Sequence, residues 1–207
     1  MSGARTPTRV VVFLHGHGDT PDEYVRLAPQ FLPAGAELVA PVGPRAVDGG
    51  THAWFEPGPD GGPVAAQLEA ALASVSATVE AACDAYETLP EHVVVAGFSQ
   101  GGAVALAWAL REGSLGRGQG PRVGGVCCVA GWLPDAEGLE LDLAHPVEVP
   151  FLIAHGDDDE AVPLPMGRSV LRVLERTGWP VTFAGGAHGH EVAPFAGAIR
   201  SWLDARP

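Results

Sequence analysis

A three-layer α/β sandwich, built on a mostly parallel sheet of six strands, is the fold this sequence predicts. Two observations carry that reading. Six short apolar runs scarcely alternate with polar residues, as strands do when helices cover both faces of a parallel sheet. Between most of them lie stretches whose apolar residues recur every three or four positions, the period of a helix packed on one side. At 207 residues the chain is long enough for a sizeable core, and residues 1–207 are read as one domain.

The elements follow in order. Residues 9–15 form the first strand, and a helix over 21–31 opens at Pro21, which is preorganised for a first helical turn. A second strand covers 36–40. The Gly- and Pro-rich segment 41–63 follows, a length of loop that is often functional in a compact domain. The clearest helix is 64–86, with Leu68, Leu72, Val75, Val79, Cys83 and Tyr86 on one face. Then come a strand over 92–96, a helix over 100–112, a loop over 113–122 and a strand over 123–130. Strands at 150–154 and 180–184 are each followed by a helix, over 163–177 and 191–205. The last has Phe195, Ile199, Trp202 and Leu203 as its apolar face.

Composition excludes several classes of function. The net charge is −13, and every formal positive charge is arginine. Such a surface repels phosphate backbones and anionic lipid, so nucleic acid is not an expected partner. No apolar run reaches the roughly 18 residues of a membrane span. The first ten residues show no apolar core of a signal peptide, which makes the cytoplasm the expected location. Cys83, Cys127 and Cys128 are too few and too irregular for a disulfide framework, and Cys127 and Cys128 read as buried thiols on a strand. No Cys/His spacing resembles a zinc site, and no cofactor is expected.

The segment "VVVAGFSQGGAVALAWAL" joins a strand to a helix through a turn that holds one serine, Ser99, between Gly97 and Gly101. A serine is a poor nucleophile unless it is held beside a base and exposed to substrate. A sharp strand-to-helix turn lifts its oxygen clear of the sheet and aims the following N–H groups at a reacting carbonyl. The residues two before and two after must then be very small. A serine that merely caps the helix is the competing reading.

A nucleophilic serine needs a base and an orienting acid, in the chain order Ser, Asp, His for this arrangement. The strand within "FLIAHGDDDEAVP" runs into an acidic turn of Asp157, Asp158, Asp159 and Glu160, any one of which could supply the acid. After the last strand, "GGAHGHEV" offers His188 and His190. Near the start, "FLHGHGDT" ends the first strand in a turn able to present a backbone N–H to an oxyanion. A metal site on His15, His17 and Asp19 is the alternative for that turn, without a second ligand cluster to support it.

Together "FLHGHGDT", "AWF", "GFSQGG", "AGWLP", "HGDDDEAVP" and "GHEV", in this order, resemble the phospholipase/carboxylesterase family of the α/β-hydrolase fold, which includes acyl-protein thioesterases. The resemblance covers nearly the whole chain. It implies a triad of Ser99, Asp159 and His190, which selects His190 over His188. It implies an oxyanion hole from the backbone N–H groups of His17 and Gln100, and places Trp54 and Trp132 near the substrate groove. It also implies a sheet in the order second, first, third, fourth, fifth, sixth strand. The eight residues before the first strand leave the N-terminal strands of larger α/β hydrolases reduced.

Position 17 is histidine where eukaryotic thioesterases of the family typically have an apolar residue, which turns the expectation away from long acyl chains. The expected function is a serine hydrolase cleaving small or short-acyl carboxylic esters through an acyl-enzyme. A thioesterase or lysophospholipase acting on longer chains is the runner-up, and a non-catalytic ligand-binding protein on the same fold the third reading. An exposed apolar edge or helix would allow a homodimer.

Overall fold

The computed structural model describes residues 7–58, 62–111, 123–143, 146 and 148–206. Its main sheet has six strands, and every pairing in it is parallel. In chain order the elements are β1 (Arg9–Leu14), α1 (Pro21–Phe31), β2 (Ala36–Val39), β3 (Arg45–Ala46), β4 (His52–Ala53) and α2 (Ala65–Tyr86). Then come β5 (Val93–Phe98), α3 (Gln100–Leu110), β6 (Gly125–Val129), β7 (Phe151–Gly156), α4 (Leu164–Thr177), β8 (Val181–Gly186) and α5 (Ala196–Asp204). The sheet order is β2-β1-β5-β6-β7-β8, as the family resemblance implies.

Alternate strand residues feed two cores because successive side chains leave a strand on opposite faces. Val10, Val12 and Leu14 of β1 join a cluster with α2, α3 and α4, through residues such as Leu72, Leu106 and Leu174. Val11 and Phe13 join the other cluster, with Tyr24 and Phe31 of α1 and Ile199 and Leu203 of α5. The runs read as uniformly apolar because both faces are covered. The edge strands β2 and β8 are only half-buried, and the central four are buried throughout. Cys127 and Cys128 sit inside β6 as buried free thiols, and burial pushes Cys128 up to about 12.

Several elements depart from the sequence reading, and β7 and β8, like β5, each run two residues past their expected ends. β5 continues past Ala96 to Phe98, because Gly97 pairs with Leu14 of β1 and Phe98 with Val129 of β6. Neighbours on both sides override the weak strand preference of glycine. The last helix starts later than residue 191, since Ala193–Phe195 forms a 3-10 turn before α5. Pro194 cannot donate a helical hydrogen bond and biases the residue before it away from helical geometry. The long loop 41–63 contains a small antiparallel ladder of β3 and β4, whose two-residue strands are too short to show a period. The expected loop over 113–122 lies outside the described residues.

All eleven residues of α3 are buried. The helix enters against the end of β1, where a Cβ built on Gly101 would stand 2.2 Å from the Leu14 carbonyl oxygen and 2.5 Å from that of His15. Backbone oxygens cannot yield to a methyl group at that distance. Gly101→Ala should therefore destabilise the protein by about 3 kcal/mol, the upper range for overpacking. Urea unfolding of the variant beside wild type checks this, and equal midpoints would contradict the close approach.

Candidate active site

With all strands of the main sheet parallel, their carboxyl ends share one edge, where α/β sheets place their sites. Ser99 stands between β5 and α3 with φ 52° and ψ −118°, a strained backbone for a residue with a side chain. Its hydroxyl makes no capping bond to the helix. Instead Ser99 Oγ lies 2.9 Å from His190 Nε2. The capping reading of this serine therefore fails on its own geometry.

Asp159 is the one acid of its turn that faces inward. Its side chain is fully buried, and Asp157, Asp158 and Glu160 are exposed. Asp159 Oδ1 accepts the N–H groups of Ala161 at 3.0 Å and Val162 at 2.8 Å. Oδ2 lies 2.7 Å from His190 Nδ1. A buried carboxylate needs such donors to offset its lost hydration.

The carboxylate fixes the tautomer of His190. Nδ1–H donates to Asp159, which leaves Nε2 bare to accept the Ser99 hydroxyl. The imidazole packs beside Phe98 at 4.7 Å between ring centres. His188 goes elsewhere: its ring stands edge-on to Phe195 at 5.5 Å, and its carbonyl accepts the N–H of Asp158. Of the two candidate histidines, the fold brings His190 to Ser99.

The turn after β1 is organised around a buried histidine and an acid. His15 Nε2 accepts the N–H of Gly43 at 2.9 Å, so Nδ1 carries the proton and donates to the Gly16 carbonyl at 2.7 Å. Desolvation by burial holds the His15 pKa below its usual value. Asp19 Oδ2 accepts the Gly16 N–H at 3.0 Å and the Tyr24 hydroxyl at 2.5 Å. Burial, with the bond to Asp19, raises the Tyr24 phenol far above its usual range. His15 and Asp19 are thus committed to protein partners. Among the described residues no three His, Cys, Asp or Glu side chains are grouped to hold a metal ion.

The N–H groups of His17 and Gln100 have no hydrogen-bond partner among the described residues. The Gln100 side chain is a clamp. Its Oε1 accepts the Trp54 backbone N–H and its Nε2 donates to the Phe55 carbonyl, both at 2.8 Å. Expected near the groove, Trp54 is completely buried, because its indole N–H donates to the His15 carbonyl at 2.8 Å and its ring packs beside that of His15. It braces the β1 turn from behind. Trp132 is half-buried in the segment after β6 and packs against the larger core cluster.

This arrangement can activate a hydroxyl: a base 2.9 Å from the oxygen, an acid 2.7 Å from the base, and free N–H donors on the turns after β1 and β5. Sequence reading missed the Asp19–Tyr24 pair and the Gln100 clamp. Each joins residues whose separation follows no local period, so no pattern announces them.

The family described as Phospholipase/Carboxylesterase matches residues 1–194. "Carboxylesterase SOBER1" of Arabidopsis thaliana is 28% identical over 95% of this chain and 90% of that protein. "Probable carboxylesterase SOBER1-like" of the same plant is 31% identical over 56% of this chain, and the match spans only 43% of that protein's length. Among solved structures, acyl-protein thioesterase 2 of Zea mays is similar with a TM-score of 0.75 and 26% identity, covering 97% of this chain and 94% of that one.

His15 makes stability depend on pH. Its folded-state pKa lies below the unfolded value of 6.5, so the unfolded chain binds more protons in the interval between them. The contribution is therefore complete above pH 6.5 and is lost as pH falls from there toward the folded-state value. Urea unfolding at about pH 7.5 and about pH 5.5 should show a larger loss for wild type than for His15→Gln, which keeps an acceptor but does not titrate. Equal losses would remove His15 as a source of the pH dependence.

Proposed function

The chain belongs to the phospholipase/carboxylesterase family, and from that premise we propose that it hydrolyses carboxylic esters of small or short-acyl substrates, with Ser99 as nucleophile, His190 as base and Asp159 as orienting acid. The observation that carries this reading is the unbroken run of two short contacts, 2.9 Å from Ser99 to His190 and 2.7 Å from His190 to Asp159. His190 takes the serine proton as Oγ attacks the carbonyl carbon. Asp159 holds the imidazole in the needed tautomer and stabilises the imidazolium. The N–H groups of Gln100 and His17 receive the oxyanion. The imidazolium returns its proton to the departing alcohol, and water, activated by the same histidine, releases the acid. These steps draw on no cofactor.

The preference for short acyl groups rests on the rim beside the β1 turn. His17 is exposed there. Glu56 pairs with Arg45 at 2.7 Å, which holds its carboxyl below the usual range. A polar, charged rim gives a long alkyl chain little to bury against. The likeness to a plant acyl-protein thioesterase favours a second reading, cleavage of a thioester or lysophospholipid acyl bond by the same residues. Among the described residues no helix is long and apolar enough to cross a membrane, and the three free thiols suit the reducing cytoplasm proposed as the enzyme's location.

Intact-mass analysis after exposure to a fluorophosphonate should show one adduct on wild type and none on Ser99→Ala. A missing adduct on folded wild type, with the reagent proven on another serine hydrolase, would defeat the assignment. Turnover of 4-nitrophenyl esters should fall by a factor of about 10⁴ or more in His190→Ala and far less in His188→Ala. The opposite ranking would exchange their roles. Rates measured along an acyl-length series of esters and thioesters separate the two substrate readings.

A further inference from the structure

Besides His15, a second buried histidine takes no part in the proposed proton transfers. His155 lies in β7, fully buried, with Nε2 2.7 Å from the carbonyl oxygen of Val162. A carbonyl only accepts, so Nε2 carries the ring proton. The same Nε2 is 3.6 Å from Asp159 Oδ2, too far for a hydrogen bond but close enough for the positive end of the N–H dipole to face the carboxylate.

Nδ1 of His155 has no hydrogen-bond partner among the described residues. It faces α4, where a Cβ built on Gly167 would stand 2.2 Å away. The helix backbone thus lies directly on the ring and holds it in place. Burying a nitrogen without a partner is unfavourable, and a phenylalanine would fill similar space without that cost. What the position gains from histidine is the Nε2–H.

That donor closes a small ring of contacts. Val162 receives it on the carbonyl side and gives its own N–H to Asp159 Oδ1 at 2.8 Å. We propose that His155 is a positioning residue: through Val162 it sets the orientation of the Asp159 carboxylate and thereby the alignment of His190. The inference rests on Asp159 acting as the orienting acid. Its effect belongs in turnover rather than in substrate binding, because the ring is buried and touches the acid from behind.

The test compares His155→Phe, which keeps a ring without a donor, with His155→Gln, whose amide nitrogen can reach the Val162 carbonyl. For 4-nitrophenyl acetate, the Phe variant should lose about tenfold to a hundredfold in kcat with KM nearly unchanged, as for a small misplacement of a catalytic group. The Gln variant should recover most of that loss. Proton NMR supplies a readout independent of turnover, the downfield resonance of the proton shared by His190 Nδ1 and Asp159, assigned by its disappearance in Asp159→Asn. It should shift or broaden in the Phe variant and persist in the Gln variant.

Wild-type kcat and an unchanged resonance in folded His155→Phe would overturn the proposal, as would equal impairment of the Phe and Gln variants. If the Phe variant does not fold, His155→Asn takes its place. Its shorter amide cannot reach Val162, so Asn and Gln variants with the same kcat and the same resonance would also overturn it. Wild type that shows the resonance but no turnover defeats the hydrolase reading alone, and the resonance comparison then decides the role of His155.

Discussion

The close approach of α3 to the sheet is the constraint on which the rest of the structure depends. A side chain on Gly101 would collide with backbone oxygens at the end of β1, and one on Gly97 would stand 2.3 Å from the Gly101 carbonyl. With both side chains absent, the chain turns from strand to helix at a single residue, and Ser99 accepts an unfavourable φ of 52°. The strain is held by what surrounds it. β5 is paired on both sides, α3 is buried along its whole length, and the Ser99 N–H donates to Val129 of β6 at 2.8 Å.

Loops cannot be held by apolar packing alone, because their backbone groups need partners. Two turns at the carboxyl edge use the same solution, a carboxylate folded back onto the backbone. Asp19 accepts the Gly16 N–H after β1, and Asp159 accepts two N–H groups after β7. Each carboxylate has a second partner, the nearby Tyr24 for Asp19 and the distant His190 for Asp159. Gln100 ties a third loop to the start of α3 through Trp54 and Phe55. Rigid placement of the edge thus comes from a few buried, satisfied polar groups set on an apolar scaffold.

The layers and the serine turn were legible because each has a local signature, whereas the strand order was legible only through the family resemblance. Buried parallel strands write themselves as apolar runs, and the serine turn as two glycines around one serine. Selecting Asp159 from four neighbouring acids, or His190 over His188, needed the family pattern. Periodicity says nothing about which side chain in a loop turns inward. The burial of Trp54 was likewise invisible, because only the tertiary structure supplies the His15 carbonyl that draws its indole inside. The β3–β4 ladder is invisible because two-residue strands carry no period.

The meeting of Ser99, His190 and Asp159 also depends on distant pairing. Ser99 and His190 are 91 residues apart, and β6 and β7 lie between the strands that carry them. Three interstrand spacings amount to about 14 Å, so the segment after β8 must cross back over the end of β7 to bring His190 to the serine. The crossing is visible in the backbone. A Cβ on Gly156, the last residue of β7, would stand 2.1 Å from the His188 carbonyl oxygen, and the N–H groups of Asp157 and Asp158 donate to the carbonyls of Gly186 and His188. The acid turn and the histidine turn are therefore one laced unit. A one-residue slip of β8 against β7 would break that lacing and turn every side chain of the strand to the other face. Alignment of Ser99, His190 and Asp159 accordingly requires the register of four strands at once, so the site is completed only when the sheet is.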